Sequence, residues 1–111
     1  QVITIEQIIE INKLLTGHGD ILDENGLKSI YASYFYEDTL LKQIASVYRS
    51  VVKNHAFRDG NKRTGTKVLY NFIKLSFGIK IKDDDLVDLA LDVAEHNYSI
   101  EKIANKIEEI M

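Results

Sequence analysis

The stretch HAFRDGNKRTG, from His55 to Gly65, holds a base, a carboxylate, a tight-turn glycine and two cations between two apolar runs. His55 is the one candidate general base placed to meet a substrate hydroxyl. Gly60 permits a turn conformation closed to residues with a Cβ. From Asn61 a helix is expected to begin, and the free N–H groups and positive dipole of its first turn favour a phosphate. Lys62 and Arg63 fall in that turn, where cations oppose the dipole by about 0.3–1 kcal/mol. A sequence shaped for stability alone would carry acids there, and an anionic ligand offsets the penalty. Asp59 can hold Mg²⁺ through one carboxylate, leaving other positions to phosphate oxygens and water. Phe57 is read as an anchor that tucks the loop into the core. The residues together describe a phosphoryl- or nucleotidyl-transfer site at a loop–helix junction.

Other chemistries fit less well. The phosphate-loop pattern G-x-x-x-x-G-K-[ST] is missing from GNKRT. A transition-metal site on His55 and Asp59 lacks a clustered third ligand, and Gly60 breaks the helical turn that their spacing would need. There is no cysteine, which excludes disulfides and thiolate metal sites and fits a reducing compartment. Between Arg49 and Lys67 six basic residues face one acid, a local charge of +5 that leaves −8 on the rest of a chain of net charge −3. Such contrast suits a focused anion site more than a general polyanion surface, and no direct nucleic-acid contact is expected. A non-catalytic nucleic-acid- or protein-binding module is the alternative from another class. It predicts basic residues spread over one face, whereas these cluster round one histidine and one aspartate. His18, between two glycines, reads as a loop residue, and His96 as a helix-end cation when protonated.

The elements that must position the motif follow from spacing. The 111 residues, 45% hydrophobic and 28% charged, suit one globular domain over 1–111. Thr4 and Gln7 form a possible capping box for a helix that turns Ile5, Ile8, Ile9 and Leu15 inward and stops at Gly17. Asp23 can cap a short helix with Leu27, Ile30 and Tyr31. Leu41, Ile44, Ala45, Tyr48, Val51 and Val52 mark a long amphipathic helix whose inward stripe His55 continues. Val68, Leu69, Phe72 and Ile73 mark the next, stopped near Gly78. Asp83, Asp84 and Asp85 supply caps and negative charge for a helix bearing Leu86, Leu89, Ala90 and Val93. Ser99 can cap a last helix with Ile100, Ile103, Ala104 and Ile107. Residues 33–37 read as a loop or short extended piece, and Gly78 to Ile81 is too short to build a sheet. The fold class is all-α. No run approaches the ~18 apolar residues of a membrane span, no leader is visible, and a cytoplasmic protein without membrane contact is the expectation.

At His55, Phe57, Asp59, Gly60, Asn61 and Arg63 the chain resembles the Fic/Doc superfamily, whose motif reads H-x-F-x-[D/E]-G-N-x-R-x-x-R. GLKSIYAS and VAEHNYSIEKIANKI are similar to its death-on-curing (Doc) branch. The resemblance implies a compact helical bundle in which His55 deprotonates a target hydroxyl and Asp59 binds Mg²⁺. Asn61 and the helix turn with Gly60, Lys62 and Arg63 would hold the phosphates of ATP. The second arginine of the motif is Thr66 here, which with NKRT looks like Doc. That branch implies transfer of the γ-phosphate to a hydroxyl of a protein, notably a translation elongation factor, and restraint by a cognate antitoxin. Adenylyl transfer is the alternative, with Lys67 replacing the lost arginine. The family flap that pairs with a target segment would fall on Tyr34, Phe35 and Tyr36.

Overall fold

The computed structural model describes residues 3–111. Helix α1 (Ile5–Thr16) opens on the expected capping box: the Thr4 hydroxyl accepts the Gln7 N–H at 3.1 Å, and the Thr4 N–H donates to Gln7 Oε1 at 2.8 Å. It ends at Gly17, in the left-handed region at φ 88°. Asp23 caps the short α2 (Glu24–Lys28), which runs into a 3-10 turn at Ser29–Tyr31, and a second such turn spans Tyr34–Tyr36. Thr39 caps α3 (Leu40–Lys53), which carries Ile44, Ala45, Val47, Tyr48, Val51 and Val52 into the core. Helices α4 (Asn61–Phe77), α5 (Asp83–Glu95) and α6 (Ile100–Ile110) complete the order, the last capped by Ser99. Among the described residues there is no strand, and the fold is all-α. No helix there is long and apolar enough to cross a membrane.

Helix α3 is central, packing on both α4 and α6, while α1 and α5 pack on α4. At the α3–α4 crossing the backbones come very close. A Cβ on Gly65 would lie 2.6 Å from Val52 Cγ2. Gly65 thereby lets the first turn of α4 lie against the last turn of α3, and the space between those two helix ends is the candidate site.

Four expectations need correction. Leu15 is exposed, because the inward line of α1 is Ile8 and Asn12, with Thr16 half-buried beyond; a polar residue on that line shifted the apparent apolar face. Asp83, Asp84 and Asp85 occupy the first turn of α5 without capping it, and the N-cap is Lys82, which makes no side-chain cap bond. Residues 34–36 are not extended: Tyr36 N–H and Glu37 N–H return to Ser33 and Tyr34 carbonyls, closing a 3-10 turn that buries Tyr34 and exposes Phe35 and Tyr36. His55 does not continue the α3 stripe. The helix stops at Lys53 with Asn54 as C-cap, and His55 follows in the left-handed region at φ 51°, its side chain exposed.

Candidate active site

The motif loop is held from beneath. Phe57 is 1% exposed, and burying its ring stabilises the loop by about 1.5–3 kcal/mol. That is enough to offset the ~1–2 kcal/mol that a left-handed conformation costs a residue with a Cβ, so the anchor can hold His55 in a geometry it would not adopt alone. His55 is the only non-glycine residue with positive φ among those described. Asn61 locks the same loop: its Oδ1 accepts the Phe57 N–H at 3.1 Å and its Nδ2 donates to the Phe57 carbonyl at 2.9 Å. Both polar ends of the Asn61 side chain are therefore spent on the loop, and what Asn61 offers a phosphate is its backbone N–H.

Gly60 precedes α4 at φ 74°, where an added Cβ would come within 2.6 Å of Thr16 Cγ2. Having no side chain, it cannot cap the helix. The first α4 residue whose N–H is satisfied is Thr64, through the Gly60 carbonyl at 2.8 Å. The N–H groups of Asn61, Lys62 and Arg63 are left at the helix end, which is the arrangement that binds anions. The Lys62 and Arg63 side chains are exposed and form no ion pair among the described residues.

His55, Gly60, Asn61, Lys62 and Arg63 line one cleft of about 380 Å³, together with Val52, Lys53 and Ala94. The His55 imidazole makes no hydrogen bond among the described residues, so neither ring nitrogen is spent on the protein and the unprotonated one of a neutral ring can accept a proton from outside. Asp59 does not line this cleft. Its carboxylate is exposed, with Oδ2 at 3.2 Å from His18 Nε2. Tyr34, Phe35 and Tyr36 stand apart from the cleft as well, and Thr66 turns its hydroxyl to the Lys62 carbonyl at 2.9 Å. Lys67 lies over the Tyr70 ring, 5.2 Å from its centroid, in a separate apolar groove of about 470 Å³ between α4 and α5. Arg63 borders both cavities.

Two supporting residues escape a reading by pattern. Asn12, fully buried on α1, donates from Nδ2 to the Asp59 carbonyl at 2.9 Å and to Thr64 Oγ1 at 3.0 Å, tying the loop and the α4 start to α1. The line Ile8, Asn12, Thr16, spaced four apart, was the available signal, a polar residue where an apolar one belongs. Lys53 donates to the Ala94 and His96 carbonyls at 3.2 and 2.9 Å, and Arg49 Nε donates to the Tyr98 carbonyl at 3.1 Å. These two cations satisfy the C-terminal end of α5 and the turn after it, where positive charge is favourable. The basic segment thus divides into cations that hold the fold and cations open to the cleft.

For Mg²⁺ the donor set is informative. No group of three or more His, Asp or Glu side chains among the described residues could hold a metal by itself. A lone exposed carboxylate with one oxygen free of protein partners suits an ion that takes most of its ligands from phosphate and water. Asp59 fits that demand.

No curated protein matches the chain. The family model of the Fic/DOC family matches residues 2–73, well over half of the chain, from α1 through the motif loop and most of α4. With the motif residues held on a loop–helix junction inside that match, the chain belongs to the Fic/DOC family.

Proposed function

We propose that this protein is a Doc-type toxin that transfers the γ-phosphate of ATP to a hydroxyl side chain of a target protein, of the translation-factor class. The observation that carries the reading is the cleft itself. It sets an imidazole beside an uncapped helix end bearing two cations, and none of the three side chains has a partner among the described residues. In the proposed step His55 takes the proton of the target hydroxyl, the new O–P bond forms at the γ-phosphorus, and the bond to the β–γ bridging oxygen breaks, releasing ADP. The phosphates rest on the N–H groups of Asn61, Lys62 and Arg63 and on the two cations, positioned for in-line transfer. Mg²⁺ held by Asp59 would neutralise charge on the phosphate oxygens.

The γ- rather than α-phosphate is favoured by Thr66. A second arginine there would fix the distal phosphates in the adenylylating pose; Thr66 brings no charge and spends its hydroxyl on its own helix. Lys67, the alternative cation for that task, lies in the neighbouring groove over Tyr70. A nucleic-acid-binding reading is weakened by Arg49 and Lys53, whose charges are turned to carbonyls at the end of α5 and in the turn after it. We further propose restraint by an antitoxin that lays an apolar segment along the α4–α5 groove of Leu15, Tyr70, Leu86 and Val87, which reaches the cleft through Arg63. A cytoplasmic setting goes with this reading, since ATP and translation factors are found there.

The test is incubation with a bacterial lysate and ATP labelled at either the α- or γ-phosphate, with His55→Ala as control. Label from γ together with ADP release is the expected result. Label from α with pyrophosphate release overturns the kinase assignment and makes Lys67 the cation to examine. No transfer from either position, in a protein that is also harmless to its host, removes the enzyme reading.

A further inference from the structure

His18 sits on the loop between α1 and α2, flanked by Gly17 and Gly19, both left-handed, at φ 88° and 69°. That loop is fastened to the motif loop along its length. Leu22 N–H and Asp23 N–H donate to the Ala56 carbonyl at 2.8 and 3.1 Å, and Arg58 N–H donates to the Asp20 carbonyl at 2.9 Å. Ile21 and Phe57 form an isolated antiparallel bridge. The Thr16 hydroxyl accepts the N–H groups of His18 and Gly19 at 3.4 and 3.3 Å, steadying the turn from its other end. The imidazole is thus carried by a braced backbone to within 3.2 Å of Asp59 Oδ2.

The tautomer follows from its other contact. The Asp20 N–H donates to His18 Nδ1 at 3.0 Å, with Asp20 Oδ2 at 3.5 Å from the same nitrogen, so in the neutral ring Nδ1 accepts and Nε2 carries the proton, and a protonated ring keeps Nε2–H as donor as well. Nε2–H then donates to Asp59 Oδ2 and leaves Oδ1 to face outward. With both ring nitrogens committed, His18 is no rival to His55 as a base. We infer that His18 is a positioning residue for Asp59: it takes one carboxylate oxygen so that the other is presented to the cation. The inference rests on Asp59 being the Mg²⁺ carboxylate of the proposed reaction. Donors that orient a ligating carboxylate in this way typically change metal affinity by about 10–100-fold. An ordinary exposed contact of the same length would change nothing measurable.

The experiment measures how much saturating MgCl₂ raises the affinity of the protein for a non-hydrolysable ATP analogue, by calorimetry, in wild type and three variants. Asp59→Asn should lose the Mg²⁺-dependent gain. His18→Ala should lose about tenfold or more of it, with unchanged affinity for the analogue in the absence of Mg²⁺. His18→Gln, whose amide N–H can stand in for Nε2–H, should recover most of the gain. A wild-type gain in His18→Ala, or a larger one, overturns the positioning role while Asp59→Asn still reports the metal carboxylate. Equal loss in His18→Ala and His18→Gln overturns the hydrogen-bond argument. An undiminished gain in Asp59→Asn instead sinks the reading of Asp59 on which the inference stands.

Discussion

Histidine, aspartate and lysine gather twice in this molecule, and the two gatherings behave in opposite ways. Where α5 meets α6, Asp92 accepts the Tyr98 hydroxyl at 2.7 Å, meets Lys106 Nζ at 3.0 Å and lies 3.1 Å from His96 Nδ1. The His96 ring stacks on Tyr98 at 4.9 Å, and Lys102 and Lys106 approach the same ring at 5.1 and 5.0 Å. The Tyr98 hydrogen bond, then Lys106, hold the Asp92 carboxyl below the usual range, while the hydrogen bond to Asp92 raises both Tyr98 and Lys106. Each group answers another, and the cluster staples two helices. At the motif loop much is left open: Asp59 meets His18 through one oxygen only, His55, Lys62 and Arg63 have no side-chain partner among the described residues, and the N–H groups of Asn61, Lys62 and Arg63 are left at the helix end. Residue type alone does not separate the two; mutual satisfaction does.

The largest effect that would break this contrast is at His55. His55→Ala should reduce transfer by about 10²–10⁴-fold while circular dichroism and melting stay as in wild type. A variant that transfers at the wild-type rate would place the base elsewhere. Next comes Asn12→Ala, which leaves the Asp59 carbonyl and Thr64 Oγ1 without their buried donor. Urea titration should show a loss of roughly 1–3 kcal/mol, with weaker nucleotide binding following because the loop is freed. Unchanged stability would mean that the loop is held by Phe57 and Asn61 alone.

His55→Gly sharpens the comparison from the other side. Because the backbone there is left-handed, glycine should raise stability by about 1 kcal/mol even as transfer is lost. A drop in the urea midpoint would show that the His55 side chain contributes contacts that offset its strain. Arg63→Ala should weaken binding of ATP yet leave the ligand-free protein unchanged or steadier by about 0.3–1 kcal/mol, since it removes a cation from a helix N-terminus. Pronounced loss of thermal stability without ligand would turn Arg63 into a structural residue like Lys53.

The smallest effect is at the closed cluster. With its folded pKa below the usual 3.8, Asp92 contributes stability that is present above that value and is lost as pH falls through the lower, folded one. Asp92→Asn should therefore melt slightly below wild type at neutral pH, and the gap should close only in acid below the usual carboxylate value. A gap that persists there would mean that packing, and not charge, holds α5 to α6.

What the sequence by itself determined is local. Helix starts at Thr4, Asp23 and Ser99, stops at Gly17 and Gly78, and the apolar stripes of α3, α4 and α6 all depend on residues three or four apart, and all are present in the fold. The cluster from His55 to Arg63 was legible for the same reason, since its residues are neighbours in the chain and their types carry the chemistry. The tertiary structure decided which of those residues face one another. Nothing near Asp59 in sequence announces His18, 41 positions away, and nothing near Thr64 announces Asn12, 52 positions away. The positive φ of His55 arises because α3 must stop and the chain must turn back under Phe57, a demand imposed by packing. Lys53 and Lys62 are equivalent charges on paper. One lies against the carbonyl end of α5 and the other at an uncapped helix N-terminus, and only the close approach of α3 and α4 at Gly65 puts them on the same cleft with different tasks.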